Sequence, residues 1–481
     1  MKFPSSRMVW YSNMAIFVSK KDESFRQYAL NAPPLKVLFS VCTPLALYQA
    51  LQQIFKILDA LMASHISAEA VSAVSALSQI TLMITAIGSG LAVGGCIKIS
   101  EAYGRGDYDT VRTRVANLYG MVVLVGLAVI AILVPFAEVF LRLLKTPEDL
   151  IAEGAGYFRM EILSLVVTFF NTAYIAIERS RGHAKKILVL NLVNIVVKLG
   201  LSALFVYVWN GGVTLISAAT LISQGILMAY AICTMPRDEG AFRFAARNLQ
   251  LRKYTVLPIL NLAYPISAEK MLFAAGKVIV NSMSGVYGGL TVGALGISNN
   301  IGGLTTGWHA GMLDGASALI SQNRGAGKHR RTLQIYYRLV LVDMLIGLAG
   351  IIIVSTTLPW LAEIFARSKD NYDPDFCGMI ISIHRWEMLG YITLGFNSAT
   401  LALLLGYGYT KLTLLLNVAR VFVFRVPVLW FFQEFTDLGA DAVGMTMMIS
   451  NICAGLSSFA VAVPVVRRIR RMSEEKTQME E

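Results

Sequence analysis

Lys56, Arg159, Lys198, Lys270, Lys277, Arg338, Arg420 and Arg425 lie inside or at the edges of long apolar stretches. So do Asp59, Glu161, Glu269, Asp314, Asp343 and Glu387. A charge at the centre of a bilayer costs roughly 2.5–3.5 kcal/mol on insertion scales, so such groups must face one another, the protein interior or water. Their spacing shows a common face. Gln49, Gln52, Lys56 and Asp59 recur at three, four and three residues, which is one stripe on an α-helix. Ser267, Lys270, Lys277, Asn281 and Ser284 form a second stripe, Asn191, Asn194 and Lys198 a third, and Asn417 and Arg420 a fourth. Carboxylates in such places can exchange a proton or a cation. Lysines and arginines there suit carboxylate or phosphate groups. The expectation is a polar cavity lined by Gln52, Lys56, Lys198, Lys270, Lys277, Asn281, Asp314 and Arg420. Its basic excess predicts an anionic or zwitterionic small organic substrate.

The elements that position these residues are membrane helices. Apolar residues make up 56 % of the 481 residues, charged ones 15 %, and the mean hydropathy is +0.60. Continuous apolar runs near 20 residues match a ~30 Å hydrocarbon core and lack the alternation of a barrel strand. The reading is an all-α polytopic fold with spans near 35–62, 71–97, 115–137, 157–177, 187–208, 213–235, 256–283, 291–320, 335–357, 386–405, 412–432 and 440–466. The N-terminus through Lys36, every second connection after it and the C-terminus hold 29 Lys and Arg, and the alternate connections hold 5. Basic loops resist translocation, so both termini are expected in the cytoplasm, with the protein multi-pass in the plasma membrane. The net charge of +12 thus reports topology and contact with anionic lipid, and calls for no nucleic-acid partner. Residues 1–34 lack the apolar core of a signal peptide and are expected to be retained. Five scattered cysteines with no CxxC spacing imply neither disulfides nor a metal site.

The chain repeats itself. At an offset of 221, Pro44 meets Pro265, Lys56 meets Lys277, and Gly90 and Gly94 meet Gly311 and Gly315. The stretch Ile99–Gly106 (ISEAYGRG) meets Ile320–Gly327 (ISQNRGAG). At an offset of 226, Arg159 and Glu161 meet Arg385 and Glu387, Asn171 meets Asn397, Gly182 meets Gly408 and Asn191 meets Asn417. Coincident prolines, glycines, asparagines and charges in one order are hard to obtain by chance. The expected organisation is a cytoplasmic segment 1–34, a six-helix lobe 35–235, a linker 236–255, a six-helix lobe 256–466 and a basic-then-acidic tail 467–481. An even number of crossings per half predicts a pseudo-two-fold along the membrane normal.

The Gly-x-Gly turn that closes the second helix of each half, with Asp59 after Pro44, resembles the multidrug and toxic compound extrusion (MATE) family. That resemblance covers most of residues 35–466 and implies ion-coupled efflux by alternating access, working as a monomer with no cofactor. It implies cation coupling at Asp59 and Asn194. Lys198 stands where family members commonly carry an acid, and lysine offers only donors, so proton antiport is expected over sodium. The same superfamily contains lipid-linked saccharide flippases, which are the alternative. No HExxH, GxSxG or P-loop spacing is present, so neither an enzyme nor direct ATP drive is expected. Arg338 and Arg425 read as interfacial anchors. Arg159 and Glu161, and Arg385 and Glu387, sit near outer helix ends and read as snorkelling or loop-pairing charges, and His309 reads as a packing histidine.

Overall fold

Glycines in the left-handed region make the turns that link long helices at the same places in both repeats. Gly106 (φ 79°) and Gly327 (φ 69°) are mates at the first offset, and Gly182 (φ 77°) and Gly408 (φ 76°) at the second. A side chain is disfavoured at such φ, so each position calls for glycine. The computed structural model describes the backbone of residues 6–11, 14–63, 68–143, 148–209, 213–238, 240–368 and 371–480. Side chains are described for these residues apart from 6–18, 56–63, 68–80, 140–141, 143, 148–154, 213, 367–368, 371, 477 and 479–480.

A hairpin of β1 (Ser6–Tyr11) and β2 (Met14–Ser19) precedes a short helix, α1 (Lys20–Asn31). The helices α2 (Pro34–Ala63), α3 (Ala68–Arg105), α4 (Tyr108–Leu133), α5 (Ala137–Leu143), α6 (Glu148–Ser180), α7 (Ala184–Ala203) and α8 (Val213–Thr234) follow. The second repeat runs through α9 (Lys253–Ser284), α10 (Gly289–Gly325) and α11 (His329–Ala366). A small hairpin of β3 (Arg367–Ser368) and β4 (Asn371–Tyr372) leads into α12 (Pro374–Glu387), α13 (Tyr391–Gly406), α14 (Thr410–Phe422), α15 (Val426–Phe435) and α16 (Asp441–Glu480). Local signals explain the starts: Asp107 accepts from Thr110 N at 3.1 Å before α4, and Asp373 accepts from Phe376 N at 3.0 Å before α12, whose first residue is Pro374.

Among the described residues, ten helical stretches are long and apolar enough to cross a membrane. Two further long helices, α9 and α10, carry too many polar and small residues to reach that threshold. Together they give the twelve crossings expected. The fold is an almost entirely helical, polytopic one.

The chain packs as two compact units. The first comprises Met1–Pro33, Phe55–Met271 and Ser321–Gly327, and the second Pro34–Ile54, Leu272–Ile320 and Lys328–Glu481. Each unit takes in a piece of the other repeat. In the first, α3 packs on the opening stretch of α9: a Cβ on Gly90 would lie 2.0 Å from Ser267 Oγ and 2.7 Å from Ala263 O. In the second, α10 packs on the opening stretch of α2, and a Cβ on Gly311 would lie 2.2 Å from Ala46 Cα. Gly90 and Gly311 are repeat mates, so the same glycine admits the same close approach twice.

The first unit also holds both copies of the turn motif, interlocked. A Cβ on Gly104 would stand 2.0 Å from Gln322 O, and one on Gly325 would stand 2.0 Å from Glu101 O. Gly104 is the mate of Gly325 and Glu101 the mate of Gln322, so the contact is reciprocal. Helix α1 lies against this clasp. Arg26 donates to Gly104 O at 3.1 and 3.3 Å, Asn323 Nδ2 donates to Ala29 O at 3.4 Å, and the hydroxyls of Tyr103 and Tyr108 donate to Asp22 O and the Glu23 carboxylate.

Within each unit one asparagine ties the repeat's fourth crossing to its last. Asn171 Nδ2 donates to Gln224 O and Oε1 at 2.9 and 2.8 Å, joining α6 to α8. Its mate Asn397 accepts from Ser458 Oγ at 2.7 Å, joining α13 to α16. Polar glue of this kind is worth about 0.6–1.7 kcal/mol in a membrane. Asn397→Ala is expected to lower stability by that amount in a denaturant titration of the detergent-solubilised protein, with no change in secondary structure by circular dichroism.

Candidate functional site

The residues that can do chemistry divide between the units. In the second, Asp314 on α10 accepts from Gln49 Nε2 at 3.5 Å, and Gln52 donates to Tyr48 OH at 2.8 Å. Part of the first predicted stripe therefore faces α10. The side chains of Lys56 and Asp59 lie outside the described residues. Lys277 and Arg420 face one aromatic ring: Lys277 Nζ is 5.4 Å and the Arg420 guanidinium 5.6 Å from the centroid of Phe273. Asn281 is exposed. In the first unit Lys270 is exposed, Asn194 is half-buried with its side-chain oxygen lacking a hydrogen-bond partner, and Lys198 is near enough for its charge to act on Glu161.

Two structural findings correct the reading of the charged residues. Arg159 behaves as expected of an outer-end charge, pairing in the connection 138–156 with Glu138 Oε1 at 3.1 Å and reaching Val134 O at 3.4 Å. Glu161 turns inward and accepts from Ser217 Oγ at 3.2 Å. Residues two apart point to different faces of a helix, which separates this guanidinium from this carboxylate. Arg425 is no interfacial anchor; it is 4 % exposed and donates from Nε to Ser450 Oγ at 3.1 Å. Spacing alone could not show this, because α14 breaks at Phe422 and α15 restarts at Val426, which re-aims the residues between.

Glu387, the mate of Glu161, completes a titratable cluster that spacing did not reveal. Its Oε2 accepts from Ser298 Oγ at 2.7 Å, and the same hydroxyl lies 2.8 Å from His384 Nδ1. His384 Nε2 is 3.0 Å from Tyr391 OH. His384 is fully buried, and Gly302 makes room for the cluster, since a Cβ there would meet Tyr391 OH at 2.9 Å. The signal was present as His384-x-x-Glu387 on one helical face, but Ser298 comes from α10, distant in sequence. His309, read as a packing residue, faces Asp343 Oδ1 at 3.3 Å, and both are buried. A separate cavity of about 600 Å³ opens on the other face of α12, beside Ser382, Arg385, Trp386, Leu389 and Asp441. It contains none of the sequence-predicted residues. No group of three or more metal-ligating side chains occurs among the described residues.

The hydrogen-bond geometry admits two protonation states of the cluster. With Glu387 ionised and His384 neutral, Ser298 O–H donates to Glu387, His384 Nδ1–H donates to Ser298, and Tyr391 O–H donates to Nε2. One proton added to Glu387 reverses each link: the carboxyl donates to Ser298, Ser298 donates to Nδ1, and Nε2–H donates to Tyr391. The Glu387–Ser298–His384 links are made in both states, while in the second the Tyr391 O–H must turn to another acceptor.

Outside the membrane-spanning stretches, a second charged centre fastens α1. Arg181 lies 3.3 Å from Asp22 Oδ1, 3.3 Å from Glu178 Oε1 and 2.7 Å from Asp238 Oδ2, and its guanidinium stacks over Phe242 at 5.1 Å. Burial alone would favour its neutral form, but the three carboxylates outweigh this and push its pKa up. Burial raises the pKa of Asp22 against the pull of Arg181, whereas hydrogen bonds from Tyr108, Gln27 and Arg26 overcome burial at Glu23 and hold it below the usual range.

Comparison with known proteins places this geometry. The chain is 24 % identical over 426 residues to the probable multidrug resistance protein YpnP of Bacillus subtilis, covering 88 % of this chain and 93 % of the relative. It is 22 % identical to the probable multidrug resistance protein NorM of Pasteurella multocida, covering 72 % and 75 %. An outward-facing structure of a multidrug resistance MATE family transporter of the MOP superfamily aligns with a TM-score of 0.88 at 19 % identity, over 94 % of this chain and 99 % of that one. A Pyrococcus furiosus MOP superfamily transporter, described as having a binding pocket of reverse polarity that suggests a different function, aligns with a TM-score of 0.87 at 19 % identity, over 94 % and 99 %. Residues 44–204 and 265–431, which carry Pro44 and Pro265 and both copies of the glycine turn, match the MatE family, and the chain is a member of it.

Proposed function

We propose that the protein is a secondary active exporter of small organic molecules, working by alternating access and driven by proton antiport. Its curated relatives are named for multidrug resistance and export, and the family membership supports the transport class. The observation that carries the coupling is the buried Ser298–His384–Glu387–Tyr391 cluster, a carboxylate and an imidazole sharing one hydroxyl inside membrane-spanning helices. Asp59 and Asn194 stay the coupling residues implied by the family pattern in the first repeat, and Asp59→Asn is the parallel variant to Glu387→Gln. Repeats 35–235 and 256–466 are the lobes that rearrange, in a plasma-membrane monomer with both termini cytoplasmic. Transport needs neither ATP nor a bound cofactor.

Proteoliposomes loaded with a fluorescent export substrate test this. An imposed proton gradient is expected to drive export, and Glu387→Gln to slow it about tenfold, since loss of the titrating oxygen freezes the cluster in one polarity. Export driven by a sodium gradient alone, or full activity in Glu387→Gln and Asp59→Asn together, overturns the reading.

A further inference from the structure

We propose that Arg420 and Arg425 form an anion-binding site within the second unit, which takes the carboxylate or phosphate group of an organic anion with an apolar body. The inference rests on the export reading for its physiological role but not for its existence. Arg425 is 4 % exposed, and its hydrogen bond is to Ser450 Oγ at 3.1 Å. Arg420 donates from Nη2 to Asn451 Oδ1 at 2.7 Å, while its Nε is fully enclosed and has no hydrogen-bond partner. The two guanidiniums are near enough for their charges to act on each other. Among the described residues, the carboxylate whose charge reaches both is Glu387. Its Oε2 is already engaged by Ser298, and no ion pair within 4.0 Å joins it to either arginine.

The balance of charge does the arguing. Taking an ion out of water costs several kcal/mol even after relaxation, and an enclosed ion ordinarily has a counter-ion in contact. Here two arginines share a distant, occupied carboxylate. A pair of arginines so placed among membrane helices can be neutralised by a mobile anion. Guanidinium N–H groups form a planar fork that fits carboxylate and phosphate oxygens, and Nε of Arg420 is a donor left open for one. Phe273 offers an apolar face for the body attached to that group.

Equilibrium binding to the full-length protein in detergent, without any gradient, tests the site. The probes are p-aminohippurate as a soluble aromatic carboxylate, phosphatidate as a phosphate-bearing lipid, and tetraphenylphosphonium as a lipophilic cation. Saturable binding of p-aminohippurate, weakened at least tenfold in both Arg420→Gln and Arg425→Gln and largely retained in Arg420→Lys, supports the proposal with a soluble ligand. Binding of phosphatidate alone, with the same sensitivity, supports it with a lipid headgroup as the source. Monodisperse elution and an unchanged circular dichroism spectrum establish that each variant is folded. If a Gln variant fails this check, the corresponding Met variant, which removes the charge and keeps the length of the side chain, serves in its place with the same tenfold loss. Anion binding that is indifferent to these substitutions, or tetraphenylphosphonium binding with no anion binding, overturns the site. Since no gradient is present, the site can fail while proton-driven export persists, and export can fail while the site binds.

Discussion

Arg181→Ala is expected to destabilise the protein by about 3–5 kcal/mol, because it strips the shared counter-ion from Asp22, Glu178 and Asp238 at once. Asp22 and Glu178 are nearly inaccessible to water, so neither can be solvated in compensation. Glu178 retains Lys186 at 3.3 Å and His183 at 2.7 Å, whereas Asp22 loses its ion pair. The first consequence is therefore release of α1 from the first unit. Limited proteolysis after Lys20 and Lys21 reads that release, and a detergent thermal-unfolding scan reads the global loss. Arg181→Lys is expected to recover only part, since one ammonium cannot span three carboxylates. Wild-type protease resistance in Arg181→Ala would show that the tyrosine and Arg26 contacts hold α1 on their own.

The reciprocal glycine clasp carries the second large effect. Gly104→Ala or Gly325→Ala places a carbon 2.0 Å from a backbone carbonyl oxygen, which no rotamer change can relieve. Each is expected to cost about 1–3 kcal/mol as the two turn segments are pushed apart. The double variant separates a shared clasp from two local clashes. Parting the segments once relieves both contacts, so the double substitution is expected to cost little more than either single one. An additive double variant would mean that each glycine answers to its own surroundings. Loss of the clasp also removes the seat of α1, so both single variants are expected to show raised cleavage after Lys21.

Much of this molecule is readable along the chain. Twelve apolar crossings follow from bilayer thickness, and α9 and α10 were found by their place in the repeat although their own polarity hides them. The repeat offsets paired glycines and asparagines whose mates do corresponding jobs in the structure, because the same backbone demand recurs at mate positions. Gly90 and Gly311 are one such pair in the sequence. The structure shows them admitting the opening helix of the other repeat, a contact between residues more than 170 positions apart.

Side-chain direction at helix breaks was not readable. Arg425 passed for an anchor because nothing local shows that α14 stops and α15 resumes at a new angle. Glu387 passed for an outer-end charge because its partner Ser298 comes from α10, distant in sequence. By itself the sequence determined the number of crossings, the duplication, the turn glycines and the presence of costly intramembrane charges, all of which depend on length, periodicity and residue type. Only the tertiary structure decided which of those charges meet. Whether a buried arginine finds a carboxylate or is left to a mobile anion depends on the approach of helices far apart in the chain, and a few ångströms separate those outcomes.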